Sequence, residues 1–234
     1  MSETTFRFKQ FTIHQDKCAM KVGTDAVLLG AWVNPNGSQR ILDIGTGTGI
    51  VALMLAQKSS GVIHAVDIDE GAFLQCKENF RISPWPNRLL PFHISFQEFA
   101  EACEIKYDLI VSNPPYFHHA SKPPEELRSQ ARHHDQLTFE DLLLGTKRIL
   151  SADGKLCVIL PNKEGMEFMD IAMRHGLFCQ RMMKVKTKQD KPEKRVMMEF
   201  TTRFGVMDES GIIIHDAIDQ FSDEYRQLTG AYYL

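Results

Sequence analysis

Apolar positions along the chain fall into short continuous runs separated by longer helical patterns, and the alternation is densest between residues 40 and 160. Arg40–Ile44, Val62–Val66, Leu89–Ile94, Tyr107–Val111 and Lys155–Leu160 read as strands. Between them, Ile50–Lys58, Glu70–Phe80, Phe96–Ala102 and Phe139–Leu150 read as helices. Strands that alternate with helices in this way predict a mostly parallel sheet covered on both faces, the doubly wound α/β class. Beyond Glu164 the order changes. A helix to His175 leads into Phe178–Thr187, a polar turn around Pro192 and then Arg195–Phe204, an antiparallel hairpin closing one sheet edge. The tail carries the apolar run Ile212-Ile213-Ile214 and a helical pattern near Ser222–Leu228. Ahead of the core, Phe6–Ile13 alternates as a small strand pair, and Thr24 is placed to cap a following helix.

A chain of 234 residues, 43% of them hydrophobic, can bury a full core. Its longest apolar runs, such as Ala26–Val33, fall well short of the roughly 18 residues a membrane span needs. The first twenty residues lack the apolar stretch of a secretory leader. Five cysteines, an odd number and scattered without a CxxC pair, predict a reducing, cytoplasmic setting with buried thiols.

In doubly wound folds, ligands sit beyond the carboxyl ends of the strands. The first such end reads Asp43-Ile-Gly45-Thr-Gly47-Thr-Gly49, directly before a helix. Glycines there let the backbone turn sharply toward a ligand, and the helix N-terminus offers free N–H donors. The run also satisfies the G-x-G-x-x-A dinucleotide pattern from Gly47 to Ala52, with Asp67 twenty residues on, so a nicotinamide cofactor fits the spacing. Asp43 argues against it: a carboxylate there repels a pyrophosphate but suits the cationic methionine end of S-adenosylmethionine. The second end, Ala65-Val66-Asp67, offers a carboxylate that can accept from both hydroxyls of a ribose, which serves either cofactor.

The third end decides between them. Tyr107–Ser112 runs into Asn113-Pro114-Pro115-Tyr116, and two prolines stop the strand in a rigid extended loop. An amino group conjugated to a purine or an amide is a poor nucleophile because its lone pair is delocalised. Hydrogen bonds from it to the Asn113 side-chain oxygen and the Pro114 carbonyl localise that lone pair and aim it at a methyl donor. Tyr116 supplies a flat face for stacking a flipped base. These are the candidate catalytic residues.

The Asn-Pro-Pro-Tyr motif resembles that of amino-methyltransferases acting on adenine N6, guanine N2 and protein glutamine. The whole chain is similar to the bacterial tRNA1(Val) adenine-N6 methyltransferase family through Lys21-Val-Gly-Thr-Asp25-Ala-Val-Leu-Leu-Gly-Ala-Trp32, Leu42–Gly49, Ala65–Asp67 and Asn113–Phe117. That resemblance implies a class I, Rossmann-like sheet of seven strands, the last hairpin strand antiparallel. It implies S-adenosylmethionine as cofactor and, as substrate, the adenine 3′ of the anticodon in one valine tRNA. Two rivals within the class remain: guanine N2, whose enzymes more often carry phenylalanine where Tyr116 stands, and protein glutamine, whose enzymes usually carry a helical domain ahead of the glycine loop.

The remaining site residues follow from charge and position. The segment before the first long helix reads as a lid over the methionine end of the cofactor, with Lys21 or Thr24 near its carboxylate; plain packing against the sheet edge is the alternative. Net charge of −3 does not announce nucleic acid, yet Arg181–Arg203 carries eight basic residues against three acids. Lys184, Lys186, Lys188, Lys191, Lys194 and Arg195 are therefore candidate RNA contacts, against the alternative of a solvated protective edge. His118-His119 and His133-His134 lack acid or cysteine partners at ligand spacing, so no metal is expected. The chain divides into a lid or substrate segment (1–38), a catalytic core (39–204) and a tail (205–234). A nicotinamide-dependent dehydrogenase leaves Asn113–Tyr116 without a purpose, and a non-catalytic RNA-binding module explains only the basic hairpin.

Overall fold

The computed structural model describes residues 4–18, 21–114 and 137–234. An eight-stranded sheet organises the chain: β3 (Arg40–Ile44), β4 (Val62–Asp67), β5 (Leu89–His93), β6 (Tyr107–Ser112), β7 (Leu150–Pro161), β8 (Phe178–Lys186), β9 (Glu193–Thr201) and β10 (Asp208–Ile213). Across the sheet they run β10-β8-β9-β7-β6-β3-β4-β5. Only β9 runs antiparallel to its neighbours. A separate two-stranded sheet, β1 (Thr5–Arg7) with β2 (Thr12–His14), pairs Phe6 with Ile13, as the alternation there predicts.

The apolar-on-both-faces strands are what a doubly covered parallel sheet requires. Ile41 of β3 packs into one core cluster, with α1 (Thr24–Trp32), α2 (Ile50–Lys58) and Phe80 of α3 (Glu70–Ile82). Leu42 and Ile44 of the same strand pack into the other, with α4 (Phe96–Ala102), α5 (Phe139–Ile149) and α6 (Asn162–Arg174). Among the described residues no helix is long and apolar enough to cross a membrane.

Two expectations need correction. Among the described residues the sheet has eight strands, not seven: β10 lies parallel to β8 at the open edge. Its residues, Asp208-Glu-Ser-Gly-Ile-Ile213, are mostly exposed, so no apolar pattern announces the strand. Thr24 does not cap α1. Gly23 holds the extended cap conformation (φ −121°, ψ 159°), Thr24 is already helical, and the cap residue makes no side-chain hydrogen bond. The tail closes on the other end of the chain. Its last helix, α7 (Asp223–Thr229), and the residues after it place Tyr225 and Tyr232 in the same cluster as Phe8, Phe11 and Ile13 of the N-terminal strand pair. The Tyr232 hydroxyl donates to the Met54 carbonyl of α2 at 3.3 Å.

Candidate active site

Three neighbouring strands end flush. In the parallel ladders Ile44 pairs with Val66 on one side and Ser112 on the other. The residues that follow these three, Gly45, Asp67 and Asn113, therefore stand side by side at the strand ends, Asp67 still paired with His93 of β5, with neighbouring strands about 4.8 Å apart. Chain order reverses here, since β3 is followed outward by β4 on one side and by β6 on the other. That is the switch point at which open α/β sheets bind ligands. The Ser112 hydroxyl donates to the Ile44 carbonyl at 3.0 Å, a buried bond that ties the two strand ends together beyond the ladder.

The glycine turn depends on left-handed backbone. Gly45, Gly47 and Gly49 have φ of 68°, 56° and 83°. At Gly49 a Cβ would stand 2.7 Å from the Phe80 ring, so a side chain there meets both strain and a wall. At Gly45 a Cβ would meet nothing within 4 Å, so this part of the turn faces open space.

Asp43 lies beneath the turn and is almost fully buried. Its Oδ2 accepts from the Thr46 hydroxyl at 2.7 Å and from the Ala52 amide at 3.2 Å. Gly49, the cap residue of α2, has no side chain to offer that helix, and Asp43 satisfies one of its free N–H groups from a distance. Burial pushes the Asp43 carboxyl up to about 7, against the pull of its two hydrogen bonds, and the nearby Asp67 charge pushes the same way. Asp67 is half-buried, and burial raises its carboxyl too. Its Oδ2 accepts from the Gly47 amide at 2.8 Å and its Oδ1 from the Asp69 amide at 3.0 Å. Asp69 itself caps α3 through the Ala72 amide at 2.7 Å.

Of the motif at the third strand end, Asn113 is half-buried and Pro114 buried. Pro115, Tyr116 and the histidine pairs lie outside the described residues. Among the described residues no group of histidine, cysteine and acidic side chains is placed to hold a metal ion.

Residues 15–18 cross α3 beside the glycine turn. The Lys17 amide donates to Gln75 Oε1 at 2.7 Å, and Val22 donates to Gln15 Oε1 at 2.9 Å. A Cβ at Gly47 would stand 3.9 Å from the Cys18 sulfur, so this strap lies against the turn. Lys21 and Thr24 are exposed where the strap enters α1. Two residues that hold this arrangement escaped the sequence reading. Asn79 accepts from the His14 amide at 2.8 Å and donates to the His14 and Thr48 carbonyls, each at 2.9 Å, joining β2 to the glycine turn. Gln75 anchors the strap. Both are fully buried, and their one signal was polar residues on the apolar face of α3 beside Cys76 and Phe80.

The basic hairpin turn stands on the same sheet edge as the site, because β8 runs parallel to β6 and ends at Lys186. Its charge is less available than the sequence suggests. Lys184 pairs with Glu209 at 2.7 Å, Lys188 with Asp219 at 2.7 Å and Lys191 with Asp190 at 3.6 Å. Two of these three partners come from the tail. Arg195 is turned inward onto Asp25 of α1 at 2.7 Å, with only 19% of its side chain exposed. Among the described residues Lys186 and Lys194 of this set have no ion-pair partner.

Residues 18–189 match the model of the methyltransferase small domain. A protein from Trichodesmium erythraeum named tRNA1(Val) (adenine(37)-N6)-methyltransferase is 46% identical over 237 residues, covering 100% of this chain and 99% of its own. A Bacteroides fragilis protein of the same name is 46% identical over 235 residues with the same coverage. One from Histophilus somni is 42% identical, covering 98% and 97%. Among solved structures, an Agrobacterium tumefaciens protein described as a predicted O-methyltransferase superposes with a TM-score of 0.67 at 15% identity, covering 89% of this chain and 96% of its own. The M. jannaschii protein TYW2, in complex with AdoMet, gives 0.56 at 16% identity, covering 86% and 88%. These two show a shared fold.

The Asp43 environment makes stability depend on pH. Its carboxyl titrates near 3.8 when unfolded and at about 7 when folded, so folding resists its charge. The Asp43 contribution is most favourable below about pH 4, declines as pH rises through that window and is flat above pH 7. Asp43→Asn removes this slope. Denaturant titrations at pH 5 and pH 8 should show the variant gaining on the wild type at the higher pH. Differences that stay constant across the two pH values would show that Asp43 does not carry a raised pKa.

Proposed function

Because the chain belongs to the methyltransferase small domain family, and its full-length relatives carry one name, we propose that it transfers a methyl group from S-adenosylmethionine to N6 of adenine 37 in tRNA1(Val). The observation that carries this reading is the flush end of β4, β3 and β6. It sets a carboxylate, a glycine turn and Asn113-Pro114 in one row.

The residues present fit this cofactor. The open side of the turn at Gly45 offers space for a ligand, and the Asp67 carboxylate is held beside it by the Gly47 amide. Each oxygen of Asp67 spends one acceptor position on a backbone amide. A carboxylate offers about four such positions, so two remain for the adjacent hydroxyls of a ribose. Gly45, Gly47 and Gly49 bring the backbone close to the methionine end. A cation there favours the ionised form of Asp43, whose Thr46 and Ala52 bonds already hold it in place. Lys21 and Thr24, exposed at the end of the strap, are the candidates for the cofactor carboxylate.

What S-adenosylmethionine supplies when bound is an electrophilic methyl on a sulfonium. The protein orients the nitrogen. Asn113 Oδ1 and the Pro114 carbonyl accept the two amino protons of adenine, which returns the lone pair to nitrogen and points it along one line. The proton leaves after attack, so no base strong enough to deprotonate a neutral amine is needed. Tyr116 is assigned to stacking against the flipped base by residue type.

Family membership removes the purpose of the dehydrogenase reading, since the Gly47–Ala52 spacing and Asp67 serve this cofactor equally. A non-catalytic RNA-binding module leaves the strand-end row unexplained. Guanine N2 and protein glutamine are the outcomes to be separated by experiment. With total tRNA and labelled S-adenosylmethionine, wild type should yield N6-methyladenosine by nucleoside mass spectrometry. Asn113→Ala should lower turnover by about 10²-fold, as for loss of one transition-state hydrogen bond, with tRNA affinity within a few fold. Label in N2-methylguanosine or in a protein fraction would overturn the adenine assignment.

For the substrate, Lys186 and Lys194 are the hairpin cations open to phosphate. Replacing both by Ala should lower the magnitude of the log K against log salt slope by up to about 0.7–0.9 for each phosphate no longer neutralised. The methylated nucleoside should not change, since phosphate contacts position and the pocket selects. An unaltered slope would remove the hairpin from the RNA interface.

A further inference from the structure

Two arginines of the β8–β9 hairpin reach back to the same helix. Arg181 on β8 places its guanidinium 4.0 Å from the centre of the Trp32 ring and donates to the Trp32 carbonyl at 3.4 Å. Its other partner is the buried carboxylate of Glu199, at 3.2 Å. Arg195, near the start of β9, donates through Nε to Asp25 Oδ2 at 2.7 Å, with 19% and 24% of the two side chains exposed. Asp25 lies in the first turn of α1 and Trp32 ends it. The helix is pinned to the hairpin at both ends.

The two pins differ in what lies beyond them. Beyond Trp32 the chain descends to the start of β3, far from the site. Ahead of Asp25 comes Lys21–Thr24, which follows the strap whose Cys18 lies against the glycine turn. Gly23, the cap residue of α1, makes no side-chain cap, and the Val22 amide just ahead of it donates to Gln15 Oε1 at 2.9 Å. The Asp25 carboxylate is the one acidic group of the first turn, and it faces the hairpin. On the hairpin side, Arg195 follows the basic turn directly and pairs across the ladder with Pro161, where β7 ends at the site edge. One ion pair thus joins the start of β9, next to the basic turn, to the first turn of α1, next to Lys21–Thr24. It is sheltered enough to resist salt screening better than exposed pairs do.

We propose that Arg195 is a positioning residue for methyl transfer: by holding Asp25 it fixes the start of α1, and with it Lys21–Thr24, over the strand ends, and it transmits tRNA engagement of the hairpin to cofactor affinity. This rests on the reading that Lys21–Thr24 faces the cofactor. Arg195 touches neither substrate in this role and acts through Asp25. Since coupling between two ligands is reciprocal, tRNA then tightens cofactor binding by the same factor that cofactor tightens tRNA binding.

The test measures S-adenosylhomocysteine affinity by calorimetry with and without tRNA, tRNA affinity across a salt series, and thermal melting. The proteins are wild type, Arg195→Ala, Arg195→Lys, Asp25→Ala, the Arg195→Ala/Asp25→Ala double variant and Lys21→Ala. In wild type, tRNA should tighten cofactor binding roughly 5-fold or more, the lower end of ordinary coupling. Arg195→Ala and Asp25→Ala should each bring that factor toward one, and the double variant should be no worse than either alone. Arg195→Lys keeps the charge but not the directed Nε bond and should recover part of the factor. The salt slope of tRNA binding should stay at the wild-type value in Arg195→Ala. A reduced slope with the coupling factor retained would make Arg195 a phosphate ligand and overturn the proposal. A lowered melting temperature with the factor retained would make the pair a structural staple and overturn it equally. Lys21→Ala separates the premise: unchanged cofactor affinity there defeats the lid reading. Weakened affinity there, beside an unaffected Arg195→Ala, defeats only the latch.

Discussion

A buried parallel strand cannot slide by one residue without turning every side chain to the opposite face. In β3 that constraint is severe, because Ile41 belongs to one core cluster and Leu42 and Ile44 to the other. Its neighbours β4 and β6 are held in the same way, with Ala65 and Val66, and Leu109 and Ile110, divided between the two clusters. Register is therefore specified by the two cores, and register alone sets Gly45, Asp67 and Asn113 in a row. The chemistry of the site is a consequence of packing several residues below it. Ser112, whose hydroxyl bridges to Ile44, extends that fixity to the last residue before Asn113.

Around this row the polar groups serve the backbone before they serve a ligand. Asp43 satisfies an amide of α2 that Gly49 cannot, and Asp67 accepts from the turn at Gly47. Asn79 ties the turn to β2, and Gln75 carries the strap across α3. A glycine-rich turn has the largest conformational entropy to lose on ordering. These side-chain bonds hold the turn in one conformation.

Much of this was legible in the sequence because it rests on local patterns. Short apolar runs marked the central strands, and residue type at the strand ends marked Asp43, Asp67 and Asn113. The strand pair Phe6–Ile13 and the β8–β9 hairpin were visible for the same reason. What stayed hidden depends on contacts between distant segments. β10 is an exposed edge with no apolar alternation, and it becomes a strand because β8 offers it a ladder. The basic turn read as strongly cationic because its counterions, Glu209, Asp219 and Asp25, lie in the tail and in α1. Asn79 and Gln75 looked like ordinary polar positions until the N-terminal segment folded over them.

The proposed function sets an S-adenosyl ligand over the strand-end row, with Asp67 at its ribose. Calorimetric titration of S-adenosylhomocysteine into wild type and Asp67→Ala tests it most directly. Loss of hydrogen bonds to a charged acceptor should weaken binding by about 1.5–3 kcal/mol, roughly ten- to a hundred-fold in affinity, with the fold retained. An unchanged dissociation constant in Asp67→Ala would contradict the claim.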